Sequence, residues 1–309
     1  MHPGATPTKT VPRASLPFLA LLVANVALAF GPWFVRHADT GPVAAGLWRM
    51  ALAVPVIGAL ALAGGARPRP LGGALWWTLV FGGVAFAADL GSWHLGIGRT
   101  TLANATLFGN SATLIFPVYG FVAARSWPTR PQALALAFAA AGAGLLMGRS
   151  YQLDSRHLAG DLLCILAGVL YTVYFIAMAR ARAVLSPLPA LVLSSLASVL
   201  PLLGFSLLLG EAVLPHDWRP LIGLALVSQV IGQSCMTYAL GRLSPLVIGV
   251  ALLIQPVVAA LVGWISYDER LGAADLLGGL LVAAALVLIR ARPVAAAPEQ
   301  AHNQPDKEP

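Results

Sequence analysis

The chain has 309 residues, of which 58% are hydrophobic and only 10% are charged. A soluble domain carries about 25% charged residues, so this composition excludes an ordinary water-soluble protein and favours a chain that has lipid as its solvent. The formal net charge is +7 at pH 7. Because the basic residues lie between apolar runs, we interpret them as signals of membrane topology and expect no nucleic-acid partner.

Ten apolar segments follow one another with only short connections that contain Pro, Gly or Arg. A hydrocarbon core about 30 Å thick needs roughly 17 to 25 apolar residues per helix, and each segment comes near that length. The sequence therefore predicts an all-α membrane protein with ten transmembrane helices. We number the segments 1 to 10, in the order 16–35, 43–63, 74–98, 100–123, 132–148, 158–179, 188–210, 220–240, 243–267 and 273–289.

The two ends of the chain, residues 1–15 and 293–309, are rich in Pro, Ala and polar residues and lack apolar periodicity. Such composition predicts disordered tails. If ten segments alternate in direction, twelve Lys and Arg residues fall on the side of the termini and six on the other side. Because these residues concentrate on the cytoplasmic side, we expect both termini in the cytoplasm and the protein in a bacterial inner (plasma) membrane.

The two halves of the chain show a weak internal repeat. Sliding the sequence against itself by 143 residues aligns Gly120 with Gly263 and matches segments 4 and 5 with segments 9 and 10. Two repeats of five helices, residues 16–148 and 158–290, would enter the membrane from opposite sides. Inverted repeats of this kind are typical of secondary transporters, whose substrate site lies near the midplane between the halves.

Segment 3 carries the most informative polar residue. Asp89 lies nine positions before Gly98, which is about 13 Å along a helix and well inside the hydrocarbon. A carboxylate there marks an ion, proton or substrate site, or it balances Arg49, which lies about 9 Å below the same surface in segment 2. Trp93 shares a helical face with Asp89, and His94 follows it. This aromatic platform suits an amine or organic cation, and plain packing is the alternative.

Segment 8 carries Gln229 and Gln233 four residues apart, which places both on one face of a helix. Two glutamines facing lipid would be costly, so they either line a cavity or bond to another helix. Polar or aromatic residues also lie inside segments 4, 6 and 9, where substrate contact competes with ordinary packing. The complete set of substrate-binding candidates is Asp89, Trp93, His94, Asn110, Tyr174, Gln229, Gln233 and Gln255.

Other residues have simpler interpretations. Asp161 and Asp275 fall in the first turn of segments 6 and 10, where a carboxylate stabilises a helix N-terminus. Small residues recur along one face of segment 5 and permit close helix packing within the chain, with a homodimer as the alternative. Cys164 and Cys235 lie in apolar stretches and are interpreted as packing residues.

The run Gln255–Trp264, preceded by Ser244-Pro245 and followed by Asp268-Glu269-Arg270-Leu271, resembles the closing signature of EamA-type transporters in the drug/metabolite transporter superfamily. The resemblance implies ten helices, cytoplasmic termini and a central cavity lined mainly by segments 1, 3, 4, 6, 8 and 9. The corresponding loop of the first half reads Arg125-Ser126-Trp127 and lacks the acidic residue of the family pattern. We therefore expect the two halves to contribute unequally.

These features predict a secondary transporter, in the direction of export, for a small organic metabolite such as an amino acid, amine or organic cation. Protons are the candidate coupling ion. No phosphate-binding G-x-x-x-x-G-K-[ST] loop occurs, and we expect no cofactor and no metal. An intramembrane enzyme would need a nucleophile with a base or a metal pair, and no H-E-x-x-H motif is present, so no enzyme is predicted. A non-transporting membrane scaffold or receptor is the alternative.

Overall fold

The computed structural model describes residues 15–67, 70–97, 99–100, 108–147, 157–267 and 272–290. Within these ranges all regular secondary structure is helical, which confirms the all-α prediction there. The predicted tails, apart from Ser15, lie outside the described residues. So does the sequence Asp268-Glu269-Arg270-Leu271, on which part of the family resemblance depends.

Every predicted segment contains at least one helix. The bounds are Ser15–Ala29 and Gly31–His37 in segment 1, Pro42–Ala63 in segment 2, Gly73–Ile97 in segment 3, Ala112–Ala123 in segment 4, Arg130–Met147 in segment 5, Leu158–Arg182 in segment 6, Pro187–Leu208 in segment 7, Arg219–Gly223, Leu224–Gln233 and Ser234–Leu240 in segment 8, Pro245–Ala251 and Ile254–Tyr267 in segment 9, and Ala273–Arg290 in segment 10.

Seven of these segments, numbers 1, 2, 3, 6, 7, 8 and 9, are long and apolar enough in their described parts to cross a membrane. Segments 4 and 10 contribute shorter apolar helices. Segment 5 is an 18-residue helix that belongs to neither group. The protein is therefore a multi-pass membrane protein, and the number of ten crossings stays a prediction.

Segments 1, 8 and 9 are not single α-helices. Segment 1 is interrupted at Phe30, two residues before Pro32, whose ring nitrogen cannot donate a helical hydrogen bond. Segment 9 is interrupted between Ala251 and Ile254. In segment 8, where the sequence predicts one α-helix, Leu224–Gln233 forms a π-helix. Long π-helical stretches are rare, and π-bulges often lie at functional sites.

The helices pair in a regular way. Segment 3 packs mainly against segments 6 and 7, segment 1 against segment 8, and segment 2 against segment 7. Segments 4 and 9 form a further pair, as do segments 5 and 10. The largest apolar core draws residues from several of these pairs and includes Phe116 of segment 4 and Tyr174, Phe175 and Met178 of segment 6.

The small-residue face of segment 5 is used inside the chain. Ala135 and Ala139 are fully buried and pack with segment 10 in a separate apolar cluster. A methyl group added at Gly142 would lie 2.9 Å from the carbonyl oxygen of Gly278. The backbones of segments 5 and 10 therefore approach each other closely. This is the helix packing within the chain that the sequence analysis describes as one of two uses of the small residues.

Carboxylates lie at the beginnings of two helices, as the sequence predicts. Asp161 in segment 6 accepts a hydrogen bond of 2.5 Å from the hydroxyl of Thr100. Asp275 in segment 10 accepts a hydrogen bond of 2.7 Å from the backbone N–H of Gly272. Both side chains contact groups near a helix N-terminus, where negative charge is favourable.

Two loops bond to each other at one end of the molecule, and we call residues 38–41 and 209–218 together the loop clasp. Glu211 accepts hydrogen bonds from the backbone N–H groups of Val43 at 3.3 Å and Ala44 at 2.8 Å, in the first turn of segment 2. Asp39 accepts one from the backbone N–H of His216, which holds the pKa of Asp39 below its ordinary value. The loop after segment 7 therefore caps the helix of segment 2.

Loss of this cap is expected to destabilise the fold. Glu211→Ala leaves two N–H groups of the first helical turn without their acceptor, and the loss of a helix N-cap costs about 0.5 to 2 kcal/mol. Glu211→Gln keeps one acceptor oxygen and is expected to cost less. Unfolding of the detergent-solubilised protein, followed by its apparent melting temperature, checks the order wild type, Glu211→Gln, Glu211→Ala. Identical melting of all three proteins would contradict the capping role.

Candidate functional site

Arg49 is the centre of a polar network that joins segments 2, 7 and 8. Its Nε donates a hydrogen bond of 3.0 Å to Oε1 of Gln229, and Nε2 of Gln229 donates one of 2.9 Å to the hydroxyl of Ser195. Gln229 is 1% exposed and Ser195 is 2% exposed, whereas Arg49 is half-buried. The network therefore lies in the interior and leaves part of the guanidinium accessible.

Aromatic rings surround the guanidinium. The carbon Cζ of Arg49 lies 5.7 Å from the centre of the Phe86 ring, within the range of a cation–π contact. Phe86 stacks on Tyr174 with 4.6 Å between ring centres, and Tyr171 and Tyr174 both lie within electrostatic range of Arg49. Tyr174 is 1% exposed, so in this conformation it fills the core, the second of the two roles considered for it.

Asp89 lies one helical turn after Phe86 and is half-buried. Arg49 and Asp89 attract each other electrostatically, which agrees with the similar depths that the sequence assigns to them. In the part of the chain that the structure describes, the hydrogen bond of the guanidinium goes to Gln229 rather than to Asp89. An acidic and a basic side chain therefore lie near each other inside the bundle without being joined by a direct hydrogen bond.

Trp93, His94 and Asn110 lie beyond this network, toward the junction of segments 3 and 4. A methyl group added at Gly109 would lie 2.8 Å from Nε1 of Trp93, so the indole packs against the backbone just before Asn110. The Nδ1 of His94 lies 2.7 Å from the carbonyl oxygen of Leu90, which fits a ring protonated at Nδ1. All three candidates are half-buried.

Gln255 belongs to a second polar contact, between segments 1 and 9. Its Nε2 donates a hydrogen bond of 3.0 Å to Oδ1 of Asn25, and Nδ2 of Asn25 donates one of 2.8 Å to the carbonyl oxygen of Leu21. Asn25 is fully buried and Gln255 is half-buried. The contact lies directly after the interruption of segment 9, where the helix resumes at Ile254.

Gln233 differs from Gln229 although both lie in the π-helix. Both amide atoms of Gln233 are buried and make no hydrogen bond of ordinary geometry to the described residues, although the amide lies near the hydroxyl of Tyr171. The hydroxyl groups of Ser228, Ser234 and Thr237 in the same segment also lack a hydrogen bond of ordinary geometry there, and that of Thr237 lies near the hydroxyl of Tyr174. We call these four residues the unpaired stripe of segment 8.

The sequence analysis did not predict two residues that form hydrogen bonds in these networks. Ser195 orients Gln229, and Asn25 in segment 1 binds Gln255. A signal for the first was present, because Ser194, Ser195 and Ser198 cluster in the otherwise apolar segment 7. The second had no local signal, since segments 1 and 9 are far apart in sequence.

One known family matches part of the chain. Residues 158–291, which comprise segments 6 to 10, match the model of the EamA-like transporter family. The second half of the chain therefore resembles EamA-type transporters. This match confirms the resemblance stated from the sequence, over 134 of the 309 residues.

Solved structures agree with the helical fold of this chain. One crystal structure, described only as that of a protein, is similar with a TM-score of 0.75 over 90% of this chain and 96% of its own chain. The two sequences are 14% identical, so the similarity concerns the fold alone. A comparison with curated proteins found no match.

Proposed function

We propose that this protein is an EamA-type secondary transporter of a small organic metabolite such as an amino acid, amine or organic cation. It would act as an exporter in a bacterial inner membrane, with both termini in the cytoplasm. The observation that carries the proposal is the pair of half-buried ionisable residues, Arg49 and Asp89, inside a membrane bundle. Ionisable groups at such depth are costly and mark substrate or ion pathways.

Contacts at the helix ends support ten crossings with alternating direction. In that topology the loop clasp joins two loops of the outer side, and the hydrogen bond from Thr100 to Asp161 also joins two outer ends. Nε of Arg182 donates a hydrogen bond of 3.0 Å to the carbonyl oxygen of Thr237, and both residues would lie near the inner side. Each contact thus joins chain positions that the topology places on the same side.

The helix pairing also supports two inverted repeats. If a two-fold axis relates segments 1 to 5 to segments 6 to 10, each segment is equivalent to the one five places later. Equivalent segments can then contact each other at the axis, as in the pairs 2 and 7, 4 and 9, and 5 and 10. The pair of segments 3 and 6 is then equivalent to the pair of segments 8 and 1. All five of these pairs are in contact. A substrate site between the repeats then falls on segments 2, 3 and 8, which carry Arg49, Asp89 and Gln229.

Asp89 is the group proposed to bind the proton or the cationic part of the substrate. Trp93 lies four residues further along segment 3 and is also half-buried, so its ring is available for a cation–π contact. A carboxylate that can lose or gain a proton inside the membrane would couple export to the proton gradient.

A counterflow assay tests the proposed function. Amino acids, amines and organic cations are first screened for those that raise the melting temperature of the purified protein by mass action. Proteoliposomes preloaded with a ligand found in this way should then accumulate the radiolabelled ligand transiently, whereas empty liposomes should not. A ligand that stabilises the protein without any counterflow would favour the alternative, a membrane receptor or scaffold.

A further inference from the structure

We infer that Arg49 forms a subsite for an oxyanion, so that the transported metabolite carries a carboxylate, sulfonate or phosphate group. In this arrangement Gln229 and Ser195 are positioning residues that hold the guanidinium, and they do not themselves contact the substrate. The inference rests on the proposed transport function and specifies one chemical group of its substrate.

The hydrogen bond of Arg49 determines which edge of the guanidinium remains available. Nε is occupied by Gln229, and Gln229 is in turn fixed by Ser195. The two Nη atoms make no hydrogen bond to any residue in the described ranges, and the side chain as a whole is half-buried. The outer edge therefore carries four remaining N–H donors that have no hydrogen-bond partner among the described residues.

An edge of this kind is suited to oxyanions. The guanidinium is planar and always charged, and its donors form a rigid fork that binds carboxylate and phosphate oxygens in a bidentate manner. The Phe86 ring centre lies 5.7 Å from Cζ of Arg49, within the range of a cation–π contact that favours this position of the guanidinium. A neutral ligand group would leave the charge of Arg49 uncompensated at this edge.

Asp89 does not fill the subsite, because the guanidinium bonds to Gln229 while the carboxylate attracts it without a hydrogen bond. The two side chains together carry no net charge. A metabolite with both an oxyanion and a cationic group would keep the region neutral, with the oxyanion on Arg49 and the cation on Asp89. Buried charges are tolerated only when each one is paired and hydrogen-bonded.

Gln229 is assigned a positioning role because of its burial. It is 1% exposed, and both of its amide groups are used, one by Arg49 and one by Ser195. The amide therefore has no free group to offer to a ligand in this conformation. Replacing it changes the orientation of Arg49 and leaves the charge in place.

The test measures protection of Arg49 from phenylglyoxal, a reagent that modifies guanidinium groups, by mass spectrometry of the full-length protein. Acetate and phosphate are the probes, and chloride at equal ionic strength is the reference. We expect either oxyanion to slow modification of Arg49 by roughly tenfold, equivalent to about 1.4 kcal/mol of binding. Stronger protection by acetate assigns the subsite to a carboxylate, and stronger protection by phosphate assigns it to a phosphoryl group.

Matched serine variants separate positioning from folding. Ser195→Ala and Gln229→Leu are expected to reduce the protection severalfold, whereas Ser198→Ala keeps it. Ser198 is equally buried in segment 7, but its hydroxyl bonds to the backbone oxygens of Gly83 and Ser194 and makes no hydrogen bond to Arg49 or Gln229. Ser195→Ala is the milder change and remains informative if Gln229→Leu does not fold.

Three results would overturn the inference. They are equal modification of Arg49 in chloride and in both oxyanions, an Arg49 that stays unmodified in chloride, and full protection in Ser195→Ala. The assay detects binding without transport. Protection without counterflow would support the oxyanion subsite and contradict the proposed transport function. Counterflow without protection would support transport and contradict the subsite.

Discussion

Asp89→Asn is expected to abolish transport while leaving a folded protein. The change keeps the shape of the side chain and removes the charge that is proposed to bind the proton or the cationic group. Arg49 retains its hydrogen bond to Gln229 and its contact with Phe86, so the bundle does not depend on Asp89 alone. We expect a loss of at least about 100-fold in counterflow, the equivalent of about 2.7 kcal/mol.

The double variant Asp89→Asn with Arg49→Gln distinguishes the two roles considered for Asp89. If the carboxylate only balances Arg49, the single change leaves an unpaired buried cation, which costs about 3 to 5 kcal/mol, and the double change restores stability. If it binds the proton or substrate, the single variant stays as stable as the wild type and loses transport, and the double change adds no stability. Asp39→Asn, the same chemical change in the loop clasp, serves as the control and should transport normally.

Gly83→Ala is expected to produce the largest structural effect among the glycine variants. A methyl group there would lie 2.4 Å from the carbonyl oxygen of Ser194 and 2.7 Å from Cβ of Ala197, where segments 3 and 7 pack together. The hydroxyl of Ser198 also bonds to the carbonyl oxygen of Gly83 at 2.8 Å. Overpacking at such a contact costs about 1 to 3 kcal/mol, measurable as reduced resistance to unfolding in detergent.

Gly58 in segment 2 is the matched position for this experiment. It is also a helical glycine, but nothing lies within 4 Å of an added methyl group. Alanine favours a helix over glycine by up to about 1 kcal/mol, so Gly58→Ala should be neutral or stabilising. A loss of stability of the same size in both variants would show that the segment 3–7 contact is not the cause.

Simple helical geometry was enough to bring part of the site together. Counting 1.5 Å per residue from the segment ends placed Asp89 and Arg49 at similar depth, and the structure puts them within electrostatic range. Apolar length predicted a multi-pass helical protein, and short sequence motifs of the second half indicated the family whose model matches that half. These features depend on local sequence or on distance along one helix.

The partners of each side chain could not be predicted in the same way. Gln229 can equally face a cavity or another helix, and only the packing of segments 2, 7 and 8 shows that it bridges Arg49 and Ser195. The π-helix from Leu224 to Gln233 changes which side chains share a face of the helix. The residues of this run contain no signal from which a π-helix could be predicted. Such features arise from contacts between segments that are distant in the sequence. These contacts leave no periodic pattern of residues from which they could be predicted.

The unpaired stripe of segment 8 bears on how easily the protein can leave this conformation. A buried polar group without a partner costs about 1 to 3 kcal/mol, and the stripe contains the amide of Gln233 and three hydroxyl groups. Any arrangement that lets water or ligand reach them gains that free energy, and about 1.4 kcal/mol already changes a population tenfold. Apolar residues at these positions would make the bundle more stable and more rigid. The polar residues of the stripe instead raise the free energy of this conformation. The free-energy difference between this conformation and an open one, which substrate binding must overcome, is therefore smaller.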